Sequence, residues 1–177
     1  ILTNRNPNPT TPIQDVTAQA GLQFLHRENA FNEFDREPLI PFMVSREGPA
    51  LAIGDVNGDG LDDFFMGSAK GEKSAVFLQE PGGKFSRIMI PALEADSTYE
   101  DVAACWVDVN GDKRLDLVVA SGGNEYYNED EHLAPRVYLN RGLDGFQKAP
   151  DAFRNIFMTA SCVVPADING DGYADLF

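Results

Sequence analysis

Three short segments of the chain carry the same spacing of oxygen-bearing side chains. In each segment Asp, Asn, Asp and Asp occupy positions 1, 3, 5 and 9 of a nine-residue stretch. A calcium ion takes six to eight oxygen ligands at roughly 2.3–2.6 Å. Side chains at positions 1, 3 and 5 of a tight loop can point inward together, position 7 can supply its backbone carbonyl, and position 9 can return a carboxylate. The spacing therefore predicts three loops that bind Ca²⁺.

The predicted ligands of each loop are four side chains and the backbone carbonyl of position 7. They are Asp55, Asn57, Asp59, Leu61 and Asp63 in loop one, Asp108, Asn110, Asp112, Arg114 and Asp116 in loop two, and Asp167, Asn169, Asp171, Tyr173 and Asp175 in loop three. Position 6 is Gly60 in loop one and Gly172 in loop three, but Lys113 in loop two. A positive φ there costs a non-glycine residue roughly 1 kcal/mol, and a lysine charge repels a cation. We therefore expect loop two to be the weakest site.

Two other interpretations of these loops fit the sequence less well. Asn, Asp and Gly dominate ordinary turns, so one such loop alone would be explained equally well as a polar turn. Three copies with one spacing weaken that explanation. An EF-hand loop needs an acid at position 12 and flanking helices. Position 12 is Met66 in loop one and Val119 in loop two, and the flanks are short β-type apolar runs. The pattern excludes an EF-hand.

The loops recur within a longer internal repeat. Residues 76–85 match residues 137–146 at a constant offset of 61, and successive loops begin 53 and 59 residues apart. One unit reads strand, aspartate loop, strand, connector, strand, turn, strand. Four strands in 50 to 60 residues is the size of a propeller blade. The sequence predicts an all-β fold, a fragment of a β-propeller with about two and a half four-stranded blades.

The repeat divides the chain into five predicted parts. Residues 1–14 form a linker, 15–49 a lead-in strand and long connector, 50–101 a blade with loop one, 102–160 a blade with loop two, and 161–177 the start of a third blade. The second blade carries an eight-residue acidic and aromatic insertion, Asn124–Glu131. Because propellers close with about four to eight blades, we expect this chain to belong to a larger multidomain protein and not to fold stably alone.

The charge balance narrows the class of partner. Lys and Arg total 14 against 28 Asp and Glu, which gives a net charge of −14. Such a chain repels polyanions, so we expect neither nucleic acid nor anionic membrane as a partner. No run of 18 apolar residues is present, which argues against membrane insertion. We expect the two cysteines, Cys105 and Cys162, to be small buried hydrophobic residues without a disulfide, because neighbouring inner strands splay apart.

The loop segments resemble the FG-GAP/VCBS repeat family, whose propellers also form the head of integrin α subunits. The resemblance rests on DVNGDGLDD at 55–63 and DINGDGYADLF at 167–177. The segments at 44–55, 118–127 and 161–167 are similar to the cartilage-acidic-protein-like branch, which is associated with ASPIC/UnbV domains in exported bacterial proteins. The resemblance implies a seven-bladed propeller, calcium between the first two strands of a blade, and an exported location: extracellular, cell-surface or periplasmic. Any export signal is then expected before Ile1.

Three functions remain open from the sequence. In the first, calcium is structural and a protein or glycan ligand binds at the opposite ends of the blades, where Asn124, Glu125, Tyr126 and Tyr127 lie in the insertion. In the second, the propeller belongs to a polysaccharide-processing enzyme; the sequence has two histidines and no GxSxG, HExxH or phosphate loop, so we expect no catalytic residue here. In the third, the chain is a spacer. Binding to a partner distinguishes the first from the third, and turnover identifies the second.

Overall fold

The computed structural model describes residues 14–177, so the predicted linker lies almost wholly outside the described residues. The described chain forms two four-stranded antiparallel sheets and one two-stranded antiparallel sheet. The strands are β1 (Leu51–Gly54), β2 (Asp63–Met66), β3 (Ala75–Glu80) and β4 (Lys84–Ile88) in sheet one, β5 (Asp101–Val107), β6 (Asp116–Ser121), β7 (Arg136–Asn140) and β8 (Phe146–Lys148) in sheet two, and β9 (Pro165–Ala166) and β10 (Asp175–Leu176) in sheet three. In each four-stranded sheet the spatial order follows the chain order. The prediction of an all-β propeller fragment is confirmed.

Helices are few and short. They are α1 (Thr17–Ala20), α2 (Pro91–Ala95) and three 3-10 turns at Glu33–Asp35, Glu131–Leu133 and Gly142–Asp144. Among the described residues, no helix has the length and apolar character needed to span a membrane. α2 and the last two 3-10 turns connect strands, whereas α1 and the first 3-10 turn lie in the segment before β1.

The main core lies between sheet one and sheet two. Alternate residues of a strand face opposite sides of its sheet, so sheet one turns Ala52, Phe65 and Val76 toward sheet two. The facing side of sheet two is also apolar and includes Trp106 and Tyr138, which belong to the same core cluster. Its other face, around Cys105 and Val118, packs against Leu176 of sheet three and against Val163, which lies just before that sheet. The three sheets therefore stack face to face, which is how propeller blades bury their faces.

The lead-in segment differs from its prediction. No strand occurs in residues 14–50; α1 packs beside β4, and the rest is irregular apart from one 3-10 turn. Gly21, which ends α1, has φ +77°, and a Cβ built there would lie 2.8 Å from the Phe85 carbonyl oxygen. Only glycine permits this close approach without strain. The segment is held by this contact and by side-chain contacts instead of by a sheet ladder.

The two cysteines have different environments. Cys105 is buried in β5, and burial raises the pKa of its thiol to about 11. Cys162 is exposed, and both thiols are free. The predicted burial holds for Cys105, but it was wrong for Cys162. The reason is that Cys162 lies before the first strand of sheet three, outside the packed interior.

Candidate metal-binding loops

Each loop joins the first two strands of its sheet. The residues that precede and close the loops are paired across the two strands: Gly54 with Asp63, Val107 with Asp116, and Ala166 with Asp175. The strands thus fix both ends of every loop at one ladder position. Position 9 opens the second strand in all three sheets, so the loops lie at equivalent ends of their blades.

The position 1 carboxylate organises loop one. Asp55 Oδ1 accepts hydrogen bonds from the backbone N–H groups of Gly58 (2.7 Å) and Asp59 (3.1 Å). Its Oδ2 accepts from the Gly60 N–H at 2.8 Å. Desolvation is the largest single effect on the pKa of Asp55 and raises it, but the backbone donors together outweigh desolvation and hold this pKa below its usual value. The chain is therefore wrapped around an ionised carboxylate.

Oxygen atoms of positions 1, 3 and 5 are close together in loop one. The Asp59 N–H is shared by Asp55 Oδ1 and by Asn57 Oδ1, at 3.1 and 2.9 Å. Asp59 Oδ1 accepts from the Leu61 N–H at 2.8 Å, and Asn57 Nδ2 donates to Asp59 Oδ2 at 3.1 Å. Two side-chain oxygens on one N–H group, next to a third side chain, form a tight oxygen-rich turn.

Loops two and three repeat this bonding. Asp108 accepts from Gly111, Asp112 and Lys113, and Asp167 accepts from Gly170, Asp171 and Gly172. The matching distances in the three loops differ by at most 0.2 Å, with Oδ1 2.7 Å from position 4 in each. Identical spacing therefore produces one backbone conformation three times.

The position 9 aspartates clamp the loops to the sheets. Asp63 is fully buried; its Oδ2 accepts from the Val56 N–H at 3.0 Å and its Oδ1 from the Gln79 N–H of β3 at 2.8 Å. Asp116 is also fully buried and accepts from Val109 and Asn140 in the same way. Burial raises the pKa of Asp63 despite those backbone donors, and the charges of Asp59 and Asp55 add to the rise. Asp63 and Asp116 therefore join loops one and two to the third strands of their sheets, whereas Asp175 accepts from Ile168 within loop three.

Loop two departs from the other loops at two residues. Lys113 has φ +67°, close to the +83° of Gly60 and the +87° of Gly172. Lys113 therefore adopts the backbone conformation that glycine provides in the other two loops. In addition, Arg114 Nη2 donates to Asp112 Oδ2 at 2.5 Å. The guanidinium neutralises the position 5 carboxylate of loop two. In loops one and three the position 5 carboxylate instead accepts a hydrogen bond from Asn57 or Asn169.

Hydrogen bonds bring the side chains of positions 1, 3 and 5 together in loop one, but three acidic groups are not gathered around one point. Within residues 14–177, no cluster of three or more Asp, Glu, His or Cys side chains is arranged to hold a metal ion by itself. The oxygen set predicted for each loop also includes the Asn amide and the position 7 carbonyl. Hard oxygen donors of this mixed kind suit calcium. Position 9 would contribute through the remaining lone pairs of an already hydrogen-bonded carboxylate.

Comparison with known families adds to this geometry. Residues 55–119 and residues 108–177 each match the FG-GAP-like repeat.

The chain belongs to the FG-GAP-like repeat family.

Both matched ranges of the FG-GAP-like repeat begin at the first residue of an aspartate loop. The chain is also 26% identical over 138 residues to integrin alpha-V of Gallus gallus. That similarity covers 73% of this chain and 13% of the integrin, so the chain spans about an eighth of that relative's length. The similarity supports an integrin-like propeller repeat.

The insertion of the second FG-GAP-like repeat lies at the blade ends opposite the loops. The Tyr126 ring stacks on His132 with centroids 4.2 Å apart, and its hydroxyl donates to the Thr98 carbonyl. The Glu125 carboxylate pairs with Lys70 Nζ at 2.8 Å. Tyr127 remains 66% exposed. Of the four predicted ligand-binding residues, Tyr126 and Glu125 contribute their side chains to internal contacts, and Tyr127 presents its ring to solvent.

The lead-in segment holds the insertion in place. Asn29 Nδ2 donates to Glu125, and Arg36 Nη2 donates to the Asn124 carbonyl. The Arg36 guanidinium also lies 5.6 Å from the centroid of the Tyr127 ring, within cation–π range. The insertion is therefore a fixed surface feature, supported by residues almost a hundred positions earlier.

A buried ionic network underlies this surface. Arg136, at the start of β7, donates to Asp101 at the start of β5 and to Ser121 Oγ, and its guanidinium lies 4.0 Å from the Tyr99 ring centroid. Both members of the ion pair are buried. Sequence analysis missed this network because its members lie 15 to 37 positions apart with no repeated spacing. The only local signal of the ion pair was that Asp101 and Arg136 are charged residues at the first positions of their strands.

Glu100, the neighbour of Asp101, makes stability depend on pH. Burial, together with the nearby charges of Glu28, Glu125 and Asp101, raises its pKa from 4.5 to about 8, although the Lys70 N–H opposes the rise. Between these values the unfolded chain releases a proton that the folded protein keeps, so rising pH favours unfolding.

We expect Glu100→Gln to reduce the loss of stability between pH 5 and pH 8, measured as denaturant midpoints. Glu129→Gln, an exposed control in the insertion, should keep the wild-type slope. An unchanged slope in Glu100→Gln would contradict this assignment.

Proposed function

We propose that this chain is a calcium-stabilised, non-catalytic propeller module of an exported protein, and that it binds a protein or glycan ligand through the face that carries the insertion. The observation that supports the calcium assignment is the threefold repetition of one loop, with the same hydrogen bonds to the position 1 carboxylate. An ordinary polar turn could form without this spacing, so turn formation alone does not explain why the same loop occurs three times. Fifteen ligand atoms in three sets, with nine carboxylates among them, supply the charge that a divalent cation balances.

The residues that would hold calcium are those of positions 1, 3, 5, 7 and 9 in each loop. In loop one these are Asp55, Asn57 and Asp59, the Leu61 carbonyl and Asp63. When bound, the cation neutralises carboxylates that otherwise repel one another and stabilises the bend between the first two strands. The protein's own contribution is the hydrogen-bonded wrap around Asp55 and the clamp at Asp63. Loop two is proposed as the weakest site, since Arg114 already pairs with Asp112.

The proposed binding face combines exposure with rigid support. Tyr127 is exposed and lies beside the Arg36 guanidinium, so an aromatic ring and a cation are available at one point of the surface. Aromatic faces stack on apolar sugar faces and on peptide groups, and Tyr and Arg are enriched at binding hot spots. The similarity to integrin alpha-V supports an extracellular or cell-surface location and a role in adhesion or binding.

Replacement of Tyr127 by alanine tests the binding face. We expect Tyr127→Ala to lower binding at least tenfold on a glycan array or on a panel of purified extracellular proteins, at constant calcium. Leu143→Ala is the control, because Leu143 is fully exposed but lies in the turn between β7 and β8, at the blade end opposite to the insertion. Equal binding by Tyr127→Ala and wild type would contradict the proposed face. Absence of any binding would favour the spacer, and turnover of a polysaccharide would favour the enzyme.

A further inference from the structure

Asn140, the last residue of β7, is connected to loop two through its backbone. It is 3% exposed. Its N–H donates to Asp116 Oδ1 at 2.7 Å, and its carbonyl accepts from Arg114 Nε at 2.8 Å. Asp116 and Arg114 are positions 9 and 7 of loop two. The backbone of Asn140 therefore fixes the closing half of that loop.

The side chain of Asn140 reaches the neighbouring blade. Its Nδ2 donates to the Val56 carbonyl of loop one at 2.8 Å and to the Leu115 carbonyl of loop two at 3.2 Å. Its Oδ1 accepts from the Gly142 N–H at 2.9 Å. One amide thus bridges position 2 of loop one and position 8 of loop two. Because the bond to the Val56 carbonyl is buried, its loss leaves that carbonyl without a replacement from water.

The internal repeat supplies a comparison residue. Gln79 occupies the position equivalent to Asn140 in sheet one, at the offset of 61, and its N–H donates to Asp63 Oδ1 at 2.8 Å. Its side chain makes no hydrogen bond to the described residues. The backbone half of the arrangement is therefore common to both blades, while the side-chain bridge between loops is found at Asn140.

We propose that Asn140 couples loop one to loop two, so that a cation bound in either loop raises the affinity of the other. This inference rests on the proposed calcium function. A cation in loop one orders the segment that includes the Val56 carbonyl, and the Asn140 amide hydrogen-bonded to that carbonyl also orients Leu115, between two predicted ligands of loop two. The first cation bears the entropic cost of ordering this shared segment. The second cation then binds a segment that is already ordered, so its affinity is higher. Binding linkage is reciprocal, so both loops gain the same factor.

Terbium titration tests the coupling in the purified protein. Trp106, the single tryptophan of the sequence, lies two residues before Asp108 and sensitises terbium luminescence from the adjacent loops. Asp59→Ala disables loop one and Asp112→Ala disables loop two. We expect Asp59→Ala to weaken terbium binding to loop two about fivefold or more, within the range of typical couplings. In an Asn140→Ala background the same replacement should change that affinity less than twofold, whereas a Gln79→Ala background should behave as wild type.

A second measurement keeps the test valid if Asn140→Ala fails to fold. In the protein that retains Asn140, Asp112→Ala should weaken loop one by the same factor by which Asp59→Ala weakens loop two. Independent binding to both loops would overturn the coupling but leave the calcium function standing. Equal coupling with and without Asn140 would overturn the role of this residue. Terbium and calcium binding to neither loop would overturn the proposed function and the coupling together.

Discussion

Asp63→Ala is expected to lower the free energy of unfolding by about 4 kcal/mol, even in the presence of a chelator. The replacement leaves the Val56 and Gln79 N–H groups without their acceptor, and Asp63 is fully buried. An unsatisfied buried donor costs roughly 1–3 kcal/mol, with more for a bond to a charged group. The measurement is chemical denaturation in chelator, so that any contribution of bound calcium is removed.

The adjacent aspartate is the control for this replacement. Asp62 is exposed, and its side chain makes no hydrogen bond to the described residues. Asp62→Ala should therefore change the free energy of unfolding by less than about 0.5 kcal/mol, as surface substitutions usually do. Equal stability of Asp63→Ala and Asp62→Ala in the absence of metal would contradict the stabilising role assigned to the Asp63 hydrogen bonds. Asp63 would then act only as a metal ligand.

Arg136→Met is expected to destabilise the protein by about 3–5 kcal/mol. It removes the cation from a buried ion pair and leaves the Asp101 carboxylate, among the described residues, with Ser74 and the Ser68 N–H as its partners. Loss of one partner of a buried pair costs this amount because a charge remains in an apolar environment. Denaturant unfolding at pH 7 measures the effect.

A surface arginine supplies the comparison for Arg136. Arg154 pairs with Asp151, and both side chains are 68% exposed. Exposed pairs contribute roughly 0–1 kcal/mol, so Arg154→Met should be nearly neutral. The double variant Arg136→Met with Asp101→Asn should recover part of the loss, since it also removes the unpaired charge. Without such recovery, packing of the arginine side chain and not its charge would account for the destabilisation.

Local patterns in the sequence predicted the parts of the fold that depend on local geometry. The loops were found because positions 1, 3, 5 and 9 of one short segment determine both the turn and its oxygen atoms. The offset of 61 between Phe77 and Tyr138 predicted equivalent strands, and these residues do occupy equivalent places in β3 and β7. The positive φ at Lys113 followed from two glycines at the same position of the other loops.

Non-local contacts account for what the sequence did not predict. Asp63 was assigned only as a ligand, because its donor Gln79 lies 16 positions away in another strand. The bridge from Asn140 to Val56 joins residues 84 positions apart, and the ion pair of Arg136 with Asp101 spans 35. The lead-in segment was expected to contain a strand, but contacts with β4 and the insertion hold it instead, and no alternation of residue types announces such contacts.

Calorimetric titration of the metal-free protein with calcium tests the central claim most directly, when it is repeated with one loop disabled at a time. The three variants are Asp59→Ala, Asp112→Ala and Asp171→Ala, each at position 5 of its loop. The account predicts that every variant binds one calcium ion fewer than the wild type and that Asp112→Ala removes the weakest site. Unchanged stoichiometry in all three variants, or no heat of binding in the wild type, would contradict it.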